Sequence, residues 1–166
     1  DDLLPYMAAF GRWLIERWTP HPLDVVHAHF WMSGLAALRA GRVVDVPVVQ
    51  TFPALGAVKR RYQGVTDTSP PRRVATEAVR GRRADLVSAT CTDEVAELRR
   101  LHVPPGQVTV VPCGVDLTHF VPGGTPRPRP AGQHRRLLCV GRLVERKGVD
   151  TAIAALGALP DAELWV

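Results

Sequence analysis

Apolar positions along the chain switch between two spacings. Leu3, Leu4, Met7, Phe10, Leu14 and Trp18 recur at helical intervals, which predicts an amphipathic helix over 2–18. LDVVHAHF (23–30) then reads as a strand, and Ser33 as the cap of a helix running through Leu38 to near Gly41. VPVVQTF (46–52) is the next strand, interrupted by Pro53, and the prolines of PPRRVATEAVRGRRAD (70–85) open a further helix. DLVSATC (85–91) is a strand, Thr92 or Asp93 caps the helix that follows, and VTVVPCG (108–114) is another strand. GGTPRPRPAGQH (123–134) has no apolar periodicity and reads as a linker. Beyond it come the apolar run LLCV, the helical pattern GVDTAIAALGAL and a last strand, AELWV. Strands alternating with helices imply βαβ units and parallel sheets, an α/β fold. The expected organisation is the end of one Rossmann-like domain (1–121), a linker (122–134) and the start of a second (135–166). A first residue that is not Met and a last one inside a strand suggest a piece of a longer protein.

Composition changes little in that picture. The 166 residues are 46% hydrophobic and 22% charged, typical of a globular chain. The net charge of +5 comes almost wholly from arginine, since Lys59 and Lys147 are the only lysines. Such a balance suits nucleic acid, a membrane surface or phosphorylated small molecules. The arginines fall in scattered pairs without interleaved aromatics, which argues against nucleic acid. GC-rich coding accounts equally well for the excess of arginine over lysine. Cys91, Cys113 and Cys139 lie far apart, which argues against a zinc site or disulfide framework and fits reduced, cytoplasmic thiols. No membrane-length apolar stretch occurs.

The sharpest chemical signal is VGRLVERKGVD (140–150). A buried strand ends at Gly141, and Arg142 and Lys147 stand between it and a helix. An open α/β sheet binds its ligands at that edge. Two solvated loop cations would look the same. His27 and His29 share one face of their strand, but no further ligand accompanies them at metal spacing, so a core or cleft-lining role is favoured. Phe30 and Trp31 read as packing residues, and Glu77 and Glu94 as solvated or capping carboxylates.

Five motifs occur in order: DVVHAHFWMSG, TFPALGAVKRR, the run from Arg73 through Glu77 to ADLVSAT, VTVVPCGVD and VGRLVERKGVD. Together they resemble the retaining glycosyltransferases of family 4. The resemblance implies a GT-B fold, in which the first domain binds the acceptor and the second a UDP- or GDP-sugar. It also implies no metal and no cofactor beyond that co-substrate. It assigns Arg142 and Lys147, beside Gly141, to the donor diphosphate, where fixed cations stabilise the charge of the leaving group. In members that use phosphorylated acceptors, a lysine and an arginine matching Lys59 and Arg73 hold the acceptor phosphate. The implied acceptor is small or lipid-linked, which leaves membrane-surface association open. Pro53 departs from the pattern, since the family often carries histidine there and proline has no side-chain hydrogen bond to offer. A catalytically silent binding or regulatory protein of the same fold is therefore the alternative, and a phosphorylase or epimerase a third.

Overall fold

The computed structural model describes residues 2–121, 123 and 134–166, apart from the Arg146 side chain. They form two compact units, Asp1–Gly114 and Val115–Val166. The expected linker, 122–134, lies almost wholly outside the described residues.

The first unit is built on four parallel strands, β1 (Val26–His29), β2 (Val48–Thr51), β3 (Leu86–Ala89) and β4 (Val108–Val110). They lie side by side in chain order. His29 registers with Thr51, Gln50 with Val87, and Ala89 with Val110, so the carboxyl ends of the strands share one edge. Helix α1 (Met7–Trp18) precedes β1, and four helices connect the strands: α2 (Trp31–Val44), α3 (Gly56–Gln63), α4 (Arg73–Arg83) and α5 (Thr92–Arg100). Helix α1 packs on α2, and α2 on α4, β1 and β2, while α5 packs on β3 and β4. The core runs through Trp31, Leu38, Val48, Phe52, Val87, Leu98 and Val103.

Three local expectations are corrected. Helix α2 starts at Trp31, two residues before Ser33, and runs past Gly41 to Val44. Phe30 carries the turn into it with φ 66° and ψ 156°, a region sparsely populated by residues other than glycine. Its side chain is about half exposed, so Phe30 is not a core residue, whereas Trp31 is. Helix α5 has neither Thr92 nor Asp93 as its cap; Cys91 precedes it in extended conformation without a side-chain cap. Glu94 instead reaches back from the first turn to accept hydrogen bonds from the Thr90 amide (2.7 Å) and hydroxyl (2.8 Å). Helix α3 has no counterpart in the apolar pattern, because GAVKRRYQ buries only its first residue.

Gln50 joins β1 to β2 at the carboxyl edge. Its side chain is fully buried, and its Nε2 reaches the carbonyls of Ala28 (3.2 Å), Phe30 (3.2 Å) and Thr51 (2.8 Å). With the Phe30 amide bonded to Thr51 O and the Gly34 amide to Phe30 O, these contacts hold the unusual Phe30 backbone in place. Gly34 makes room for this arrangement, since a Cβ there would stand 2.0 Å from Gln50 Oε1.

The second unit is smaller. Strands β5 (Arg135–Leu138) and β6 (Ala162–Trp165) pair in parallel, joined through helix α6 (Val149–Leu156). The expected buried strand over LLCV is corrected: β5 starts earlier, ends at Leu138 and is exposed along its length, because few described residues cover this two-stranded sheet. Arg136 donates to Glu163 (2.8 Å) on the neighbouring strand and lies 4.0 Å over the Trp165 ring. Among the described residues no helix is long and apolar enough to cross a membrane.

Gly34→Ala should destabilise the first unit by about 1–3 kcal/mol, the usual cost of overpacking a filled interior. Urea unfolding followed by circular dichroism measures it, and an unchanged midpoint would show that Gln50 is free to move.

Candidate functional site

The carboxyl edge of the sheet gathers the segment after β2, the start of α3 and the start of α4. Arg73, first residue of α4, is 8% exposed and binds four groups there. Its Nε donates to Glu77 Oε1 (2.8 Å), its Nη1 to Ser69 Oγ (3.2 Å) and its Nη2 to the Ala54 carbonyl. Its guanidinium carbon lies 6.0 Å from the centre of the Trp31 ring. Glu77, 1% exposed, uses its other oxygen to accept the Gly56 amide at 2.7 Å. Glu77 is therefore neither solvated nor a surface cap. It satisfies the first amide of α3 and neutralises the arginine that anchors α4. Burial pushes the Glu77 carboxyl above the usual carboxylate range, against the opposing pull of Arg73 and the Gly56 amide.

Lys59 lies one turn into α3, and its ammonium reaches the same hydroxyl as Arg73, at 2.9 Å from Ser69 Oγ. The structure therefore brings together the two cations that the family resemblance matches to an acceptor phosphate. It also supplies what the sequence did not show. Asp67 lies 3.0 Å from the Lys59 ammonium and 3.9 Å from Arg60 Nε, with its side chain 4% exposed. The amide of Ser69 donates to it at 2.9 Å. Hydrogen bonds from the Ser69 backbone and hydroxyl, reinforced by Lys59, hold the Asp67 carboxyl down at about 2. Ser69 and Asp67 were legible in the sequence only as polar residues before a proline pair; their part comes from folding.

Pro53 is exposed beside this cluster, just past β2. His27 and His29 do share one face, with ring centres 4.2 Å apart, and His27 Nε2 lies 2.7 Å from Thr51 Oγ1. Partial burial, and then His29, lower the His27 pKa. The pair opens on a groove of about 320 Å³ lined mainly by Phe10, Leu14, Trp18 and Ala37. Among the described residues no three histidine, cysteine or carboxylate side chains are placed to hold a metal ion.

In the second unit, Gly141, Arg142 and Lys147 lie together between β5 and α6. A 3-10 turn, Glu145–Lys147, brings the chain to Gly148, whose φ of 65° starts α6 in the left-handed region that glycine adopts without strain. The Lys147 stem folds over Gly141, about 3.9 Å from where a Cβ would stand. Arg142 and Lys147 are exposed, and among the described residues neither forms an ion pair. Two uncompensated cations beside a helix start can take up a phosphate group.

Glu77→Ala would leave Arg73 buried beside an unfilled space. Breaking such a pair from one side costs about 3–5 kcal/mol, which chemical denaturation of wild type and variant would reveal. A loss below about 1 kcal/mol would mean that water reaches the guanidinium.

Residues 1–119 match the family model described as Glycosyltransferase Family 4. A D-inositol 3-phosphate glycosyltransferase of Nocardiopsis dassonvillei is 37% identical, covering 96% of this chain and 38% of its own length. That of Mycolicibacterium gilvum is 32% identical over the whole chain and 40% of its own. Among solved structures, sucrose-phosphate synthase from Thermosynechococcus elongatus aligns with a TM-score of 0.81 at 27% identity, covering 98% of this chain and 41% of that one. The chain thus spans about two fifths of the length of these relatives. Ordered motifs, parallel sheets and the family match agree: this chain belongs to glycosyltransferase family 4.

Proposed function

We propose that the protein transfers a sugar from a nucleotide-sugar donor to a phosphorylated acceptor, with retention of configuration, and that this chain carries the cations for both phosphate groups. The observation that carries the reading is the convergence of Lys59 and Arg73 on a single hydroxyl at the carboxyl edge of the first sheet. The names of the relatives support it, since they include D-inositol 3-phosphate and sucrose-phosphate. Lys59 and the donor hydrogens that Arg73 has left after binding Glu77, Ser69 and Ala54 hold the acceptor phosphate. This fixes the position of the acceptor hydroxyl.

Arg142 and Lys147 act on the donor. As the bond from the sugar to the diphosphate breaks, its electron pair passes to a phosphate oxygen. The acceptor oxygen forms the new bond to the same carbon, and the hydroxyl proton leaves with the diphosphate. Arg142 can engage two oxygens at once and Lys147 meets the charge as a mobile point. Neither has a competing carboxylate among the described residues, so both charges are available to the leaving group.

Steady-state kinetics of the gene product that carries this chain separate the two sites. Arg142→Ala or Lys147→Ala should lower kcat by two to three orders of magnitude, about 3–4 kcal/mol of barrier. Lys59→Ala should raise the acceptor KM while leaving the donor KM unchanged. Equal use of a phosphorylated acceptor and its neutral counterpart would overturn the acceptor assignment. Absence of transfer from any UDP- or GDP-sugar would favour the silent reading that Pro53 raises.

A further inference from the structure

The two acceptor-site cations are not free. Glu77 balances Arg73 and Asp67 balances Lys59, so the cluster as folded offers little net attraction to an anion. The two carboxylates hold their cations in different ways. Glu77 sits inside a helix, is buried and ties α4 to α3, so it stays in place whatever binds. Asp67 sits in the connection between α3 and α4, just after a 3-10 turn, Gly64–Thr66. Gly64 has φ 51° and Val65 is fully exposed, so little packing holds the start of this connection, while the Asp67 side chain is held under it by its hydrogen bonds and ion pairs. The Asp67 carboxylate takes the Ser69 amide, the Lys59 ammonium and, at longer range, Arg60. These are the donors that an incoming phosphate would need.

We infer that Asp67 is a specificity-determining residue: its carboxylate occupies the anion position beside Lys59, and only a ligand oxyanion of higher charge displaces it. The inference rests on the acceptor-phosphate reading and adds the selection rule. A phosphate dianion exchanges one negative charge near Lys59 and Arg60 for two, whereas a carboxylate gains nothing by the exchange. Release of Asp67 also frees the Ser69 amide to donate to the incoming oxygen. Neutral and singly charged acceptors are thereby excluded by an attraction within the chain and not by shape.

The test uses the gene product that carries this chain, at pH 8, titrated with inorganic phosphate or with acetate and followed through the Ser69 amide by NMR. Wild type should bind phosphate and ignore acetate. Asp67→Asn should bind phosphate about tenfold more tightly, close to the low end of what is measured for close charge pairs, and should take acetate as well. Lys59→Ala placed on top of Asp67→Asn should abolish both. Should Asp67→Asn fail to fold, Asp67→Ser takes its place; loss of folding in both would overturn the proposal by making Asp67 a structural residue. Weaker phosphate binding in the folded variant would also overturn it, since Asp67 would then help to build the site. Unchanged phosphate affinity in Asp67→Asn, with loss in Lys59→Ala, would remove the role of Asp67 and keep the acceptor site. Binding indifferent to Lys59 in every background would remove both.

Discussion

The buried pair of Arg73 and Glu77 is the contact on which the candidate acceptor site depends. A guanidinium and a carboxylate taken out of water are costly unless every strong donor and acceptor finds a partner. Here the carboxylate takes the Gly56 amide as well as Arg73, and the guanidinium takes Ala54 O and Ser69 as well as Glu77. The consequence is positional. The segment after β2, the first turn of α3 and the first turn of α4 are fixed to one another by one charged network. A Cβ at Gly56 would stand about 3.0 Å from the Arg73 side chain, so the close approach also needs that glycine.

Position then decides chemistry. Lys59 lies on the helix whose first amide Glu77 accepts, and Ser69 lies just ahead of the helix that Arg73 opens. Fixing the two helix starts places a lysine and an arginine on one hydroxyl. The remainder of α3 is held by Arg61, which meets Glu97 of α5 through paired bonds of 2.9 and 2.8 Å. That contact is exposed at Arg61 and adds little stability of its own. The second unit works differently, because Arg142 and Lys147 are set out in the open by strand end, 3-10 turn and helix start, without a buried network behind them.

Much of this architecture was legible from the chain alone. Strands rich in Val and Ala, and helices with apolar residues at regular intervals, announce themselves because burial selects them position by position. β1, β2, β3 and β4, and helices α1 and α6, follow from that signal, and α4 from the prolines that open it. The grouping of Gly141, Arg142 and Lys147 between a strand and a helix was also visible, since apolar run, glycine and helical pattern follow one another closely in the chain. Helix α3 was not, because most of its residues are polar or charged and only Gly56, Ala57 and Val58 at its start meet the core. The glycine at its end, Gly64, was the available sign, as a left-handed or otherwise unusual backbone commonly stops a helix.

The amino-acid order by itself determined the α/β class, the parallel pairing implied by alternating elements, and the types of cation placed near strand ends. These are local properties, set by spacing and by the conformations each residue can adopt. Only the tertiary structure decided that Glu77 is buried under Arg73, that Ser69 lies between Arg73 and Lys59, and that Asp67 already occupies the lysine. The carboxylate of Glu77 lies four residues from Arg73 and twenty-one from the Gly56 amide it also serves. No pattern of hydrophobicity records such a pairing, because charges in a sequence look alike until folding removes some of them from water.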